Sequence, residues 1–134
     1  MINGITEVVH VPDLGKTPAS VNRKTGVMYI SLKHTKKMPF EHILFMMLHE
    51  NAHVVLQTTD EVLADEKAFK DYADLGYSLN ASIKALTQVL NEKNKDHAWR
   101  MYLQLERAKA YDLKKNGNTK FLTNENRSNY NLTR

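Results

Sequence analysis

The sequence predicts an α+β fold in which a short N-terminal antiparallel sheet packs on one long apolar helix, followed by three further helices. Three observations carry that expectation. Runs of β-branched residues broken by turn residues occupy the first part of the chain. An apolar stretch without a breaker begins just after Pro39. From there on the apolar residues recur at helical spacing, interrupted at Gly76 and stopped at Asn116-Gly117-Asn118. At 134 residues and 42% hydrophobic content the chain is large enough for a single core. The expected division is one domain over residues 1–116 and a polar, basic tail over 117–134.

Strands are expected within residues 1–38. Ile5 to Val11 is rich in β-branched residues and ends at Pro12, which cannot donate to a ladder. Val27 to Leu32 is the stronger strand; the turn Asn22-Arg23-Lys24-Thr25-Gly26 precedes it, with Ser20-Val21 beyond the turn as hairpin partner. Two placements suit Val27 to Leu32: an interior strand, or a free edge on which an extended peptide could align. Pro39 suits the first turn of a helix over 39–57. The polar residues Gln57-Thr58-Thr59 then make a tight turn into a second helix over 60–75, closed by Gly76 as C-cap. Two more helices fill 78–116. Leu79, Ile83, Leu86, Val89 and Leu90 form the inward stripe of the first, and Trp99, Leu103, Ala110 and Leu113, with Tyr102 beside them, that of the second.

Inside the long apolar helix stands His49-Glu50-Asn51-Ala52-His53, an HExxH motif. Histidines four apart on a helix lie one turn above each other on one face, so both imidazoles can reach one metal ion. Glu50 projects beside them, placed to take a proton from a water whose pKa the metal lowers to about 7. A core helix that carries two histidines by accident is the competing reading. Against it stand the uncharged flanks, Ile43 to Leu48 before the motif and Val54 to Leu56 after it.

A catalytic zinc site needs a third protein ligand and an open fourth position. Glu61 and Asp65 share a face of the following helix; if that helix folds back antiparallel, Glu61 can complete the coordination and Asp65 can accept the free ring N–H of a ligating histidine. Ala64 and Ala68 on the same stripe would let the helices approach closely. Each acidic residue also has a plainer role open to it. Glu61 could form a capping box with Thr58, Asp60 could be the N-cap or itself the ligand, and Asp65 and Glu66 could form a solvated face, with Glu66 paired to Lys70.

His49-Glu50-x-x-His53 followed by Glu61-x-x-Ala64-Asp65-x-x-Ala68 resembles the paired signature of small gluzincin-type HExxH zinc metallopeptidases, of the ImmA-like and short phage-encoded kinds. The resemblance covers the middle third of the chain. It implies a minimal zincin-like fold with Zn2+ as cofactor, His49, His53 and Glu61 as ligands, Glu50 as general base and Asp65 as the orienting residue. The activity implied is that of a zinc-dependent hydrolase acting on a peptide or protein substrate. The gap between the two halves is short, which leaves little room for substrate-binding insertions. A second reading, from another class, is a non-catalytic structural or cargo protein of a phage particle that keeps the fold; the intact Glu50 argues against it. His97, Tyr72, Tyr77 and Tyr102 are all candidates to stabilise an oxyanion, with no basis for choosing among them. His42 lies about two turns before His49, too far to share its ion.

Composition narrows the remaining classes. The absence of cysteine rules out disulfides and thiolate metal sites. Met1-Ile2-Asn3-Gly4 leads straight into patterned sequence without a secretory leader, and the apolar run around the motif is too short to span a bilayer. The expected location is therefore the cytoplasm of a bacterial host cell, or the interior of a phage particle, with no membrane contact. A formal charge of +4 invites a nucleic-acid partner, but the basic residues, Lys33, Lys36 and Lys37 in one group and Lys114, Lys115, Lys120, Arg127 and Arg134 in another, come without a binding motif or stacking series. They read as a solvated face. The tail over 117–134 is the expected contact for a homo-oligomer or larger assembly.

Overall fold

The structure is a computed structural model that describes residues 3–91 and 93–117, so the expected tail lies, from residue 118 on, outside the described residues. It has the expected α+β character. Three strands, β1 (Glu7–Val11), β2 (Ala19–Val21) and β3 (Val27–Ser31), form one sheet in the order β1-β3-β2. The hairpin between β2 and β3 forms where Asn22 was expected to turn the chain: its Oδ1 accepts from the Lys24 and Thr25 amides at 2.9 and 3.1 Å, and its carbonyl accepts from Gly26 N at 2.8 Å.

One expectation about the sheet is corrected. It is mixed rather than antiparallel, because β1 pairs in parallel with β3, Val9 opposite Tyr29. Pro12 ends β1, and the chain then crosses to the far edge to begin β2, so the segment between β1 and β3 acts as the crossover that a parallel pair needs. Of the two placements open to Val27 to Leu32, the structure has the interior one. β3 is paired on both sides, and the edges are β1 and β2. Leu32 leaves the strand altogether to begin a short helix, α1 (Leu32–Thr35), which the sequence reading lacked; Ser31 caps it, its Oγ accepting from His34 N at 3.4 Å.

Four longer helices follow: α2 (Phe40–Val55), α3 (Glu61–Asp74), α4 (Leu79–Val89) and α5 (Lys95–Asn116). The last three start where Asp60, Ser78 and Asn94 cap free backbone amides with side-chain oxygens. α3 ends in a Schellman turn, with Tyr77 N bonded to Tyr72 O, Gly76 N to Ala73 O, and Gly76 at φ 93°. None of the helices among the described residues is long and apolar enough to cross a membrane.

Helix α2 is the central element. Phe45 packs into a cluster with Phe69, Tyr72, Ile83 and Leu86 from α3 and α4, while Met46, one residue on, packs with Ala19, Met28 and Ile30 of the sheet. Burying such side chains contributes about 1.5–3 kcal/mol each, so α2 is held from both sides. His53 faces Glu61, His49 faces Asp65 and Phe45 stacks edge-on against Tyr72; α2 and α3 therefore run antiparallel, as expected. Ala64 and Ala68 are fully buried at their contact.

The inward face of α5 differs from the expected stripe. Arg100, Gln104, Ala108 and Asp112 are buried, whereas Trp99, Tyr102 and Leu113 stand half exposed, Trp99 at 54%. The helix is turned by one residue, about 100°. The polar residues are accommodated because they are partnered: Gln104 Nε2 donates to Ser82 O at 3.2 Å, and Arg100 pairs with Asp65. Ala108 is buried in the core between them, with Leu105 and Tyr111 packed against that core, so the inner face mixes polar and apolar residues.

Candidate metal centre

The expected donors converge at the contact between α2 and α3. His49 Nε2 and His53 Nε2 are 3.1 Å apart, and Glu61 Oε1 lies 2.7 Å from His53 Nε2 and 3.3 Å from His49 Nε2. Glu50 Oε2 stands further off, 3.9 Å from His49 Nε2. The ligand atoms of His49, Glu50 and His53 lie within 4.8 Å of one another, a group that could hold a metal ion. Glu61 brings its oxygen closer to both imidazoles than Glu50 does.

Local structure explains why the rings point this way. α2 ends in a Schellman turn with Gln57 at φ 48°, Thr58 N bonded to His53 O and Gln57 N to Val54 O. The turn carries Thr58 O back to within 2.8 Å of His53 Nδ1, which donates to it. His49 Nδ1 is 2.9 Å from Asp65 Oδ1, an ion-pair contact by distance but off the line of a hydrogen bond. Thr58 O holds the proton on His53 Nδ1 and the Asp65 carboxylate lies beside His49 Nδ1, so in the neutral rings both Nε2 atoms would turn their lone pairs to the same side as the Glu61 oxygen.

Three electron-rich atoms this close, two of them on buried imidazoles, need a cation or a proton between them. The titration behaviour says the same. Burial pulls the His49 imidazole down, but contacts to Asp65 and Glu61 outweigh it and raise its pKa to about 9. The Glu61 contact, against the opposing effect of burial, raises His53. Glu61 itself is held well below the usual carboxylate range by the two imidazoles. Burial pushes the Glu50 carboxyl up, against the two imidazoles, which pull it down.

The chain matches no protein-family model, no curated protein and no solved structure.

Asp60 accepts from the amides of Val62 and Leu63 at 2.8 and 3.2 Å and so is the N-cap, not a donor to the site. Thr58 Oγ1 accepts from Asp60 N, which leaves the Glu61 carboxylate free of a capping box. Asp65 is no solvated face; it is fully buried, and Lys70 pairs with Asp74 instead of Glu66. Of the four oxyanion candidates only His97 lines the cavity that opens on the site. Tyr72 and Tyr77 stack on each other, Tyr72 fully buried, and Tyr102 stacks on Trp99 at the surface. His42 contacts Gln88 and His34 contacts Ser31, both away from the donors.

That cavity, about 270 Å³, has His49, Glu50, Glu61, His97 and Arg100 at its polar end and Met46, Leu86, Val89 and Leu90 on its apolar wall. Residues 16–19, the lead into edge strand β2, form its rim. Sequence reasoning missed Arg100, whose Nε and Nη2 donate to Asp65 Oδ2 and Oδ1 at 2.6 and 2.9 Å. A signal existed: a buried Asp65 requires a cation, and Arg100 lies on the face of α5 that the apolar stripe leaves out.

Proposed function

We propose that the chain is a zinc-dependent hydrolase, a small metallopeptidase. The observation that carries the reading is the convergence of His49 Nε2, His53 Nε2 and Glu61 Oε1, with His53 Nδ1 donating to Thr58 O and His49 Nδ1 beside the Asp65 carboxylate. A tetrahedral zinc with bonds of about 2.0–2.1 Å has ligand-to-ligand edges of about 3.3 Å. The edges here are 3.1, 3.3 and 2.7 Å, so the donor set fits the ion with small adjustments, and two nitrogens with one carboxylate oxygen suit zinc chemically.

When bound, zinc supplies Lewis acidity: it lowers the pKa of a water to about 7 and polarises a carbonyl. The chain's own residues do the rest. Glu50 takes the proton of the attacking water as the C–O bond forms, and delivers it to the leaving amine as the C–N bond breaks. His97 Nδ1 accepts from Asn91 N at 2.9 Å, which leaves the ring N–H on Nε2 to serve the carbonyl oxygen as it gains charge. An extended peptide can add to edge strand β2, the role first considered for Val27 to Leu32, and place an apolar side chain against Met46, Leu86 and Val89.

Elemental analysis of the purified protein tests the metal: one zinc per chain, reduced in His53→Ala and Glu61→Ala, is the expected outcome. Glu50→Gln should keep the zinc and lose hydrolysis of a mixed peptide library. A Glu50→Gln protein that cleaves as fast as the parent rules out this mechanism.

A further inference from the structure

The Arg100 guanidinium touches two carboxylates at once. Nε and Nη2 grip Asp65 in a bidentate fork, and the remaining nitrogen, Nη1, stands 3.7 Å from Glu61 Oε2. Arg100 is 8% exposed and Asp65 fully buried, whereas the Glu61 side chain, in the first turn of α3, is 51% exposed and has room to turn. With two nitrogens committed, the guanidinium plane is fixed, so the position of Nη1 is set by Asp65 rather than by Glu61. Arg100 Nη1 is the cation found within 4.0 Å of Glu61 Oε2 among the described residues; the imidazoles face Oε1.

We propose that Arg100 is a positioning residue that holds Glu61 Oε2 away from the metal, so that Glu61 binds through Oε1 alone and a fourth coordination position stays open. The inference rests on the metal reading above. The argument is geometric. A carboxylate free to rotate can offer both oxygens to a metal and fill the position that a water needs. Here one oxygen is directed at the imidazoles and the other at a cation that cannot move. The same guanidinium holds Asp65 behind His49, so one side chain fixes two partners of the centre from a third helix.

The test begins with the unaltered protein loaded with zinc. X-ray absorption at the zinc edge should report two nitrogens and a single protein carboxylate oxygen; a bidentate carboxylate overturns the proposal. The second measurement loads cobalt(II) into the parent, into Arg100→Lys, and into the Asp65→Asn/Arg100→Gln pair, which replaces the buried ion pair by two neutral amides in case the single variant fails to fold. Expected are weaker visible absorption, as the coordination number rises, and metal affinity lower by about 10–100-fold in the variants. A folded variant with the parent's cobalt spectrum and affinity reduces Arg100 to a structural partner of Asp65 and overturns the proposal. If the parent itself binds neither metal, the metal reading fails, a result distinct from the other two.

Discussion

Kept metal-free by a chelator, the protein should lose stability steeply in mild alkali, and His49 sets the size of the effect. Its pKa is raised from the ordinary 6.5 to about 9: burial works against the charge, and Asp65 and Glu61 more than compensate. A raised pKa means that the folded state holds the proton more tightly than the unfolded chain. The stabilisation is complete below pH 6.5 and disappears as the pH passes through about 9. At about 1.4 kcal/mol per pH unit, the interval corresponds to roughly 3 kcal/mol. With a urea m-value of about 1.5 kcal/mol per molar, the unfolding midpoint falls by roughly 2 M. The assay is urea unfolding of the chelated protein from pH 6 to 10, with His49→Gln as reference to subtract other titrations, including that of His53. Parallel pH profiles for the two proteins would refute the reasoning. Metal competes with the same proton, so apparent metal affinity should climb by up to about tenfold per pH unit below 9.

Four further expectations concern single side chains. Asp60→Ala should cost about 1 kcal/mol in urea unfolding through loss of the α3 cap and leave the metal content unchanged; loss of metal would restore Asp60 as a ligand. Ala68→Leu, at a fully buried contact of α2 and α3, should cost about 1–3 kcal/mol by overpacking, measured as a lower Tm; an unshifted Tm contradicts the close approach. The Tyr72 hydroxyl is buried without a hydrogen-bond partner among the described residues, so Tyr72→Phe should be neutral or stabilising by up to about 1 kcal/mol in the same assay, and a clear loss would reveal a partner. Gly26 sits at φ 79°, where an added Cβ would meet Gly4 O at 2.7 Å; Gly26→Ala should cost about 1–2 kcal/mol and lower the hydrogen-exchange protection of Thr6 N, which is bonded to Gly26 O.

The parts of the site legible in the sequence are those set by local geometry. Helical spacing alone puts His49 above His53, and a short turn followed by Glu61 and Asp65 brings the acids opposite them. Helix ends were equally readable, because Asp60, Ser78 and Gly76 act on their own neighbours. What escaped depends on distant parts of the chain. The direction of β1 against β3 is decided by how the segment after Pro12 crosses the sheet, which no strand pattern encodes. Arg100 was hidden because apolar periodicity assigns Trp99 and Leu103 to the core, whereas the pairing energy of a buried Asp65 turns the helix the other way.

The Arg100–Asp65 pair spans 35 residues, and this imposes an order on the life of the molecule. During synthesis the motif helix emerges well before α5, so for a time Asp65 has only the His49 imidazole as a charged partner and the space beside His49 lacks its third wall. Burying that carboxylate without the guanidinium is more costly, so the docking of α5 favours the closure of α2 on α3. The surroundings of His49 are then complete only once the last described helix is in place, so the motif by itself does not make the site.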